Sequence, residues 1–282
     1  MEYPNPDILV SPHWLMEHKD DSDLLIVDCP WDSGSYARAH IPGALCRPGH
    51  AYVKAVDGEG NQSWFLPTQS EFEKLTVDLG IGANSTVVMY DEWGTIFATR
   101  LWWVLKYFGF DNAKVLDGGW QGWVSAGLPV SYTSQSPSNP AEPFVPSPNP
   151  RRLATLDELL AKYNDTGWQV LDVRSGDEYH GRADHGNKRV GHVPGATHLE
   201  WNLLLENSTD AEAVRCFRSA DEIQEIFNKF GVDKTAAIVT HCQAAVRATF
   251  MAFALELLGY PVPRVYDGSM DEWANLDDTP LE

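Results

Sequence analysis

The chain has 282 residues, 43% hydrophobic and 22% charged, which excludes a disordered or fibrous protein, and its length exceeds one ordinary domain of roughly 100–200 residues. Its 21 Lys and Arg against 40 Asp and Glu leave a formal charge of −19, so nucleic acid and anionic membrane are disfavoured partners. Any anionic substrate must then find local positive potential at helix termini or at a few arginines.

In chain order, the run Leu24 to Asp28 predicts a strand ending on an acid, and His40-Ile41-Pro42-Gly43-Ala44 predicts a turn. Thr86 to Asp91 predicts a second such strand, and Phe97 to Phe108, apolar on most faces, predicts a helix buried against a sheet. Val115-Leu116-Asp117-Gly118-Gly119 and Trp123 follow. Residues 131–150 hold six of the 18 prolines and five serines and read as a linker between parts at 1–130 and 151–282. Beyond it the pattern returns in the same order: Trp168 to Asp172, His192-Val193-Pro194-Gly195-Ala196, Ala237 to Cys242, the helical stretch Val246 to Leu258, Val265-Tyr266-Asp267-Gly268-Ser269 and Trp273. The offsets are 144 for Asp28 and Asp172, 152 for His40 and His192, 151 for Asp91 and Cys242, and 150 for Asp117 and Asp267. Near-constant offsets mark an internal duplication. Strand, helix, strand alternation implies, in each half, an α/β domain with a mainly parallel sheet flanked by helices on both faces, with ligands beyond the carboxyl ends of the strands.

Four scattered cysteines, Cys29, Cys46, Cys216 and Cys242, make neither a disulfide framework nor a Cys-x-x-Cys knuckle. Reduced thiols, no metal and a cytoplasmic location are expected. No apolar run approaches the roughly 18 residues of a membrane span. Cys242 stands at a predicted strand end, before Gln243, Ala244, Ala245, Val246 and Arg247 and the start of a helix. Such a loop turns backbone N–H groups and the helix dipole toward its centre, where an anion such as a thiolate is stabilised. Arg247 either adds positive charge to the rim or braces the loop from outside. On spacing alone, a nucleophile and an inert buried cysteine are equally compatible.

The doubled pattern resembles the tandem-domain rhodaneses, the sulfurtransferases that include thiosulfate and 3-mercaptopyruvate sulfurtransferases. The resemblance rests on both His-(Ile/Val)-Pro-Gly-Ala segments, Asp172-Val173-Arg174, the six-residue loop Cys242 to Arg247, Tyr266-Asp267-Gly268-Ser269 and Trp273. It implies two tandem rhodanese-like domains, the first catalytically silent with Asp91 where the nucleophile would stand. Phosphatases on a similar scaffold use a loop one residue longer, so the short loop argues for a persulfide rather than a phosphoryl group. The implied reaction moves a sulfane sulfur from a small-molecule donor to a thiophilic acceptor, cyanide or a thiol, through a Cys242 persulfide held by the backbone of Gln243 to Arg247, with no cofactor. A protein acceptor is compatible with this chemistry, and a monomer or weak dimer is expected.

Thiosulfate is the favoured donor because Arg247 is retained and the loop lacks the Gly with Ser or Thr of mercaptopyruvate enzymes. Its neutral residues keep 3-mercaptopyruvate, or a persulfide carrier or sensing role with little turnover, as alternatives. Glu178 occupies the position of a substrate-binding arginine in the thiosulfate enzymes, and Arg182, Lys188 and Arg189 are candidates to replace that charge. Asp172 with Arg174 braces the active loop or forms a purely structural ion pair. Trp31, by resemblance, and Phe97 with it, either reaches the substrate pocket from the first domain or is simply core. His40 and His192 are expected to hydrogen-bond locally, and His241 to be a core histidine, pointed away by strand alternation.

Overall fold

A computed structural model describes residues 2–48, 65–137, 140, 142–207 and 213–282. The chain divides into two compact units. The N-terminal unit comprises Pro6–Asn149 with Leu205–Phe217, and the C-terminal unit Met1–Asn5, Pro150–Leu204 and Arg218–Glu282.

In the N-terminal unit β1 (Leu9–Val10), α1 (Pro12–His18), β2 (Leu24–Asp28), α2 (Ser33–Arg38), β3 (Leu45–Cys46), α3 (Gln69–Leu79), β4 (Thr86–Tyr90), α4 (Ile96–Tyr107), β5 (Ala113–Leu116) and α5 (Gly119–Ser125) follow one another. The C-terminal unit repeats the series with β6 (Leu153–Ala154), α6 (Leu156–Lys162), β7 (Trp168–Asp172), α7 (Gly176–Tyr179), β8 (Thr197–His198), α8 (Ala220–Lys229), β9 (Ala237–His241), α9 (Val246–Leu257), β10 (Arg264–Tyr266) and α10 (Ser269–Trp273). Each unit has a five-stranded parallel sheet, ordered β1-β5-β4-β2-β3 in one and β6-β10-β9-β7-β8 in the other, flanked by helices.

Covered faces explain the run-like rather than alternating strands. In β2 and β7 the last three residues are all buried, and β9 is buried from Ile238 to His241. Behind the sheets, α4 and α9 bury most of their circumference, including Leu101, Trp102 and Trp103 in α4 and Phe250, Met251 and Phe253 in α9. Each such large apolar side chain contributes about 1.5–3 kcal/mol by leaving water.

The paired His-x-Pro-Gly-Ala segments are structural. Tyr36 stacks on His40 at 3.8 Å and Tyr179 on His192 at 3.7 Å. Nδ1 of each histidine lies within hydrogen-bond distance of its tyrosine's carbonyl, 2.8 Å and 3.0 Å, and each tyrosine hydroxyl donates to the alanine carbonyl, Ala44 or Ala196. The glycine between is required because Gly43 and Gly195 take φ values of +87° and +73°.

The proline-rich segment is tied to the N-terminal unit by its backbone: Ser131 exchanges hydrogen bonds with His40, Ser147 donates to Phe108 and Asn149 to Tyr107. A stretch from the second half joins the same unit, where the Phe217 amide donates to Asp117 at 2.9 Å.

Candidate active site

Cys242 follows the last residue of β9 and is buried. Three residues later Ala245 adopts a left-handed φ of +62°, and α9 starts at Val246 with no side chain capping it. An alanine in that region is strained by roughly 1–2 kcal/mol, and the turn it makes gathers successive amides into a concavity at the helix N-terminus. Arg247 and Ala248, second and third residues of α9, carry first-turn N–H groups that an α-helix does not bond internally.

The next strand-to-helix turn holds this loop in place. The Cys242 amide donates to Ser269 Oγ at 3.2 Å, while the carbonyls of Cys242 and Gln243 accept from the amides of Met270 and Asp271. Ser269, itself at a φ of +51°, donates onward to the Tyr266 carbonyl. The Gln243 amide group donates to Asn187 Oδ1 at 3.0 Å and to Asp271, and its oxygen accepts from Asn187 at 3.1 Å. Asn275 also donates to Asn187, at 2.9 Å.

Two ion pairs flank the loop. Arg174 grips Asp172 through Nε and Nη2, at 2.9 and 2.6 Å, and donates to the Gly191 carbonyl. Burial works against the Asp172 charge, yet its neighbours hold the carboxyl below the usual range. His241 lies 3.7 Å from Asp172, but its own burial lowers its pKa, so Arg174 is the counter-ion we credit. Among the described residues neither His241 ring nitrogen has a hydrogen-bond partner.

The second pair joins the loop to α7. Arg247 Nη1 and Nη2 donate to the two carboxylate oxygens of Glu178, each at 2.7 Å. Glu178 also accepts from the Ser175 hydroxyl at 2.8 Å and the Ser175 amide at 3.0 Å, and His185 Nε2 stands 3.3 Å away. Burial opposes the Glu178 charge, but hydrogen bonds from Arg247 and its positive charge bring the pKa down to about 2.

The N-terminal unit contains the same construction with a different occupant. Asp91 follows β4, and its carboxylate accepts from the amides of Trp93, Thr95, Phe97 and Ala98 at 2.7–2.9 Å. Thr95 at φ +67° precedes α4 as Ala245 precedes α9. From Asp91 to Thr95 is four residues and from Cys242 to Ala245 three, which accounts for the sequence offset dropping from 151 to 150. Phe97, second in α4, holds the helix position of Arg247. Burial pushes Asp91 up to about 6, with the amide bonds pulling the other way.

The rhodanese-like domain model matches residues 11–126 and again 155–276. The chain belongs to the rhodanese-like family. Its relatives include the sulfur carrier protein TtuD of Thermus thermophilus, 33% identical over all of this chain and 98% of that protein. The thiosulfate sulfurtransferase of Gallus gallus is 30% identical over 94% of this chain and 92% of its own length. The 3-mercaptopyruvate sulfurtransferase of Escherichia coli is 29% identical, covering 97% of each. Among solved structures, a persulfide form of EanB with ergothioneine superposes with a TM-score of 0.88 at 25% identity, over 99% of this chain and 71% of that one. Sulfur transfer is the general chemistry of these rhodanese-like relatives, and this chain falls among them.

Within this rhodanese-like C-terminal unit Cys242, the loop Gln243 to Arg247, Asp172 and Arg174 lie around one strand end. Arg182 is exposed and pairs with Asp177 at 2.7 Å. Arg189 is likewise committed, donating to the carbonyls of Trp273 and Thr279. Trp31 sits in the N-terminal unit, half exposed, with ring centroids 5.6 Å from Phe97 and 6.3 Å from Trp93. Sequence reasoning flagged Glu178 but missed its pairing with Arg247; Ser175-x-x-Glu178 is a capping-box signature that would have turned the carboxylate toward the start of its own helix. Asn187 and Ser269 carried no such signal. Among the described residues no group of three or more His, Cys, Asp or Glu is placed to hold a metal ion, and no helix is long and apolar enough to cross a membrane.

Proposed function

We propose that this chain moves a sulfane sulfur to a thiophilic acceptor, cyanide or a thiol, through a persulfide on Cys242, with thiosulfate among its donors. The Cys242 thiolate attacks the outer sulfur of the donor, the remainder leaves with its electron pair, and the terminal sulfur passes to the acceptor's nucleophile. The loop backbone from Gln243 to Arg247 holds the charge of thiolate and persulfide in turn. Asp172 and Arg174 brace the strand end beneath it.

One observation carries the reading. In the loop of matching design, amides at the second and third positions of α4 bind the Asp91 carboxylate at 2.8 Å, so this turn-and-helix construction accepts an anion. The construction after β9 begins instead with a cysteine. Sulfurtransferase names among relatives spanning nearly the whole chain support the same assignment.

The test is turnover: thiocyanate from thiosulfate and cyanide, and pyruvate from 3-mercaptopyruvate and a thiol, for the native protein and Cys242→Ser. Turnover that disappears in the variant is expected. Equal rates in both proteins, or none with any donor, would refute the assignment.

A further inference from the structure

The retained charge of the loop already has a carboxylate partner within the fold. Each terminal nitrogen of Arg247 donates one hydrogen bond to Glu178, which the Ser175 capping bonds lock in place. Glu178 is almost fully buried, and the Arg247 side chain keeps 21% of its surface. With a pKa near 2, Glu178 remains ionised at any working pH. Two opposite charges in bidentate contact present a dipole, whose field falls off faster than that of a lone guanidinium. Arg182 pairs with Asp177, the Arg189 guanidinium donates to the carbonyls of Trp273 and Thr279, Lys188 is exposed with its amide on Asn275, and the net charge of −19 repels anions at long range.

We infer that the Glu178–Arg247 pair selects the donor, favouring thiol persulfides, whose transferable sulfur carries no oxyanion group, over thiosulfate. The inference rests on the Cys242 persulfide reading and narrows its substrate class. In the step, the Cys242 thiolate attacks the outer sulfur of R–S–S–H. The donor's S–S bond breaks, its electron pair leaves on R–S⁻, and a new S–S bond forms at Cys242. The proton of the transferred sulfur passes to R–S⁻, leaving R–SH and the Cys242 persulfide anion, and nothing is oxidised or reduced overall. The amides at the start of α9 then hold a single negative charge, as those of α4 hold Asp91.

The experiment follows loading of Cys242 by intact mass in single-turnover mixtures with thiosulfate or glutathione persulfide, for the native protein and Glu178→Gln. Freeing Arg247 should raise the ratio of the thiosulfate loading rate to the persulfide loading rate about tenfold. An unchanged or lower ratio in a folded Glu178→Gln, as in a parallel rise with both donors, would overturn the inference. A second measurement needs no variant. Raising ionic strength from about 0.02 to 0.2 M should leave or raise the native thiosulfate rate, since only long-range repulsion is screened. A clear fall would reveal a working cation and overturn it. Failure of both donors to load Cys242 would remove the persulfide reading itself, a result distinct from persulfide loading without donor selection.

Discussion

After β4, the N-terminal unit closes its loop on a carboxylate of its own, with four amides on Asp91; after β9, the C-terminal unit opens the same kind of loop with Cys242 and ties its rim through Arg247 to Glu178. The strand ends below differ in the same sense. Asp28 matches Asp172, but Pro30 stands where Arg174 stands, so among the described residues the Asp28 carboxylate has the Tyr90 hydroxyl as its side-chain donor in place of a guanidinium, and burial raises its pKa well above the usual range. On the proposed reading, the same anion-binding turn holds an acid in one unit and the nucleophile in the other. In one unit the amides of the turn are filled by the chain's own carboxylate; in the other, on the same reading, they serve the Cys242 anion.

The largest effect expected from breaking this contrast is on activity. Cys242→Ser should lower sulfur transfer by about a thousandfold or more, while Asp91→Asn should leave it within about twofold, both read in steady-state turnover. A large loss in Asp91→Asn would mean that the first loop takes part in the reaction.

Next comes the buried pair. Arg247→Ala leaves Glu178 as an uncompensated buried charge and should cost about 3 kcal/mol in urea unfolding, near the lower end for such pairs because Arg247 is partly exposed. No loss would show that the pair is not formed in solution.

The two carboxylates also predict opposite pH behaviour. Asp91 has a folded pKa of about 6, above its unfolded value near 3.9, so its contribution to stability is complete below about pH 4 and lost as pH rises through 6. Glu178, at about 2 when folded, contributes above its unfolded value and loses that only as pH falls toward 2. Between pH 4 and 6.5, Asp91→Asn should therefore flatten the decline in the urea midpoint, leaving the part owed to Asp28 and Asp117, also raised by burial. An unaltered slope would contradict the buried, ionisable Asp91.

Smallest is Ser175→Ala, which removes the cap of α7 and one bond to Glu178 and should cost about 1 kcal/mol. A loss matching that of Arg247→Ala would mean that the capping serine, rather than the ion pair, governs this corner.

Much of the fold was legible because buried parallel strands need continuous apolar runs, and the duplication repeated each run in the same order at offsets of 144 to 152. Even the one-residue difference between the loops was present in the fall of the offset from 151 to 150. The turn from Cys242 into its helix and the contact between Asp172 and Arg174 were each legible because the residues within each are close in sequence. The Arg247 bond to Glu178 was not, since it spans 69 residues and depends on a side-chain direction that spacing does not encode. Asn187 was hidden for the same reason: its contact with Gln243 spans 56 residues.

The central claim is that one cysteine of four carries the sulfur. Brief exposure of the reduced protein to a sulfur donor, followed by peptide mass analysis, tests it directly. The account predicts one added sulfur on the peptide containing Cys242, absent in Cys242→Ser, with Cys29, Cys46 and Cys216 unchanged. Sulfur retained by the variant, or located on another cysteine, would contradict it.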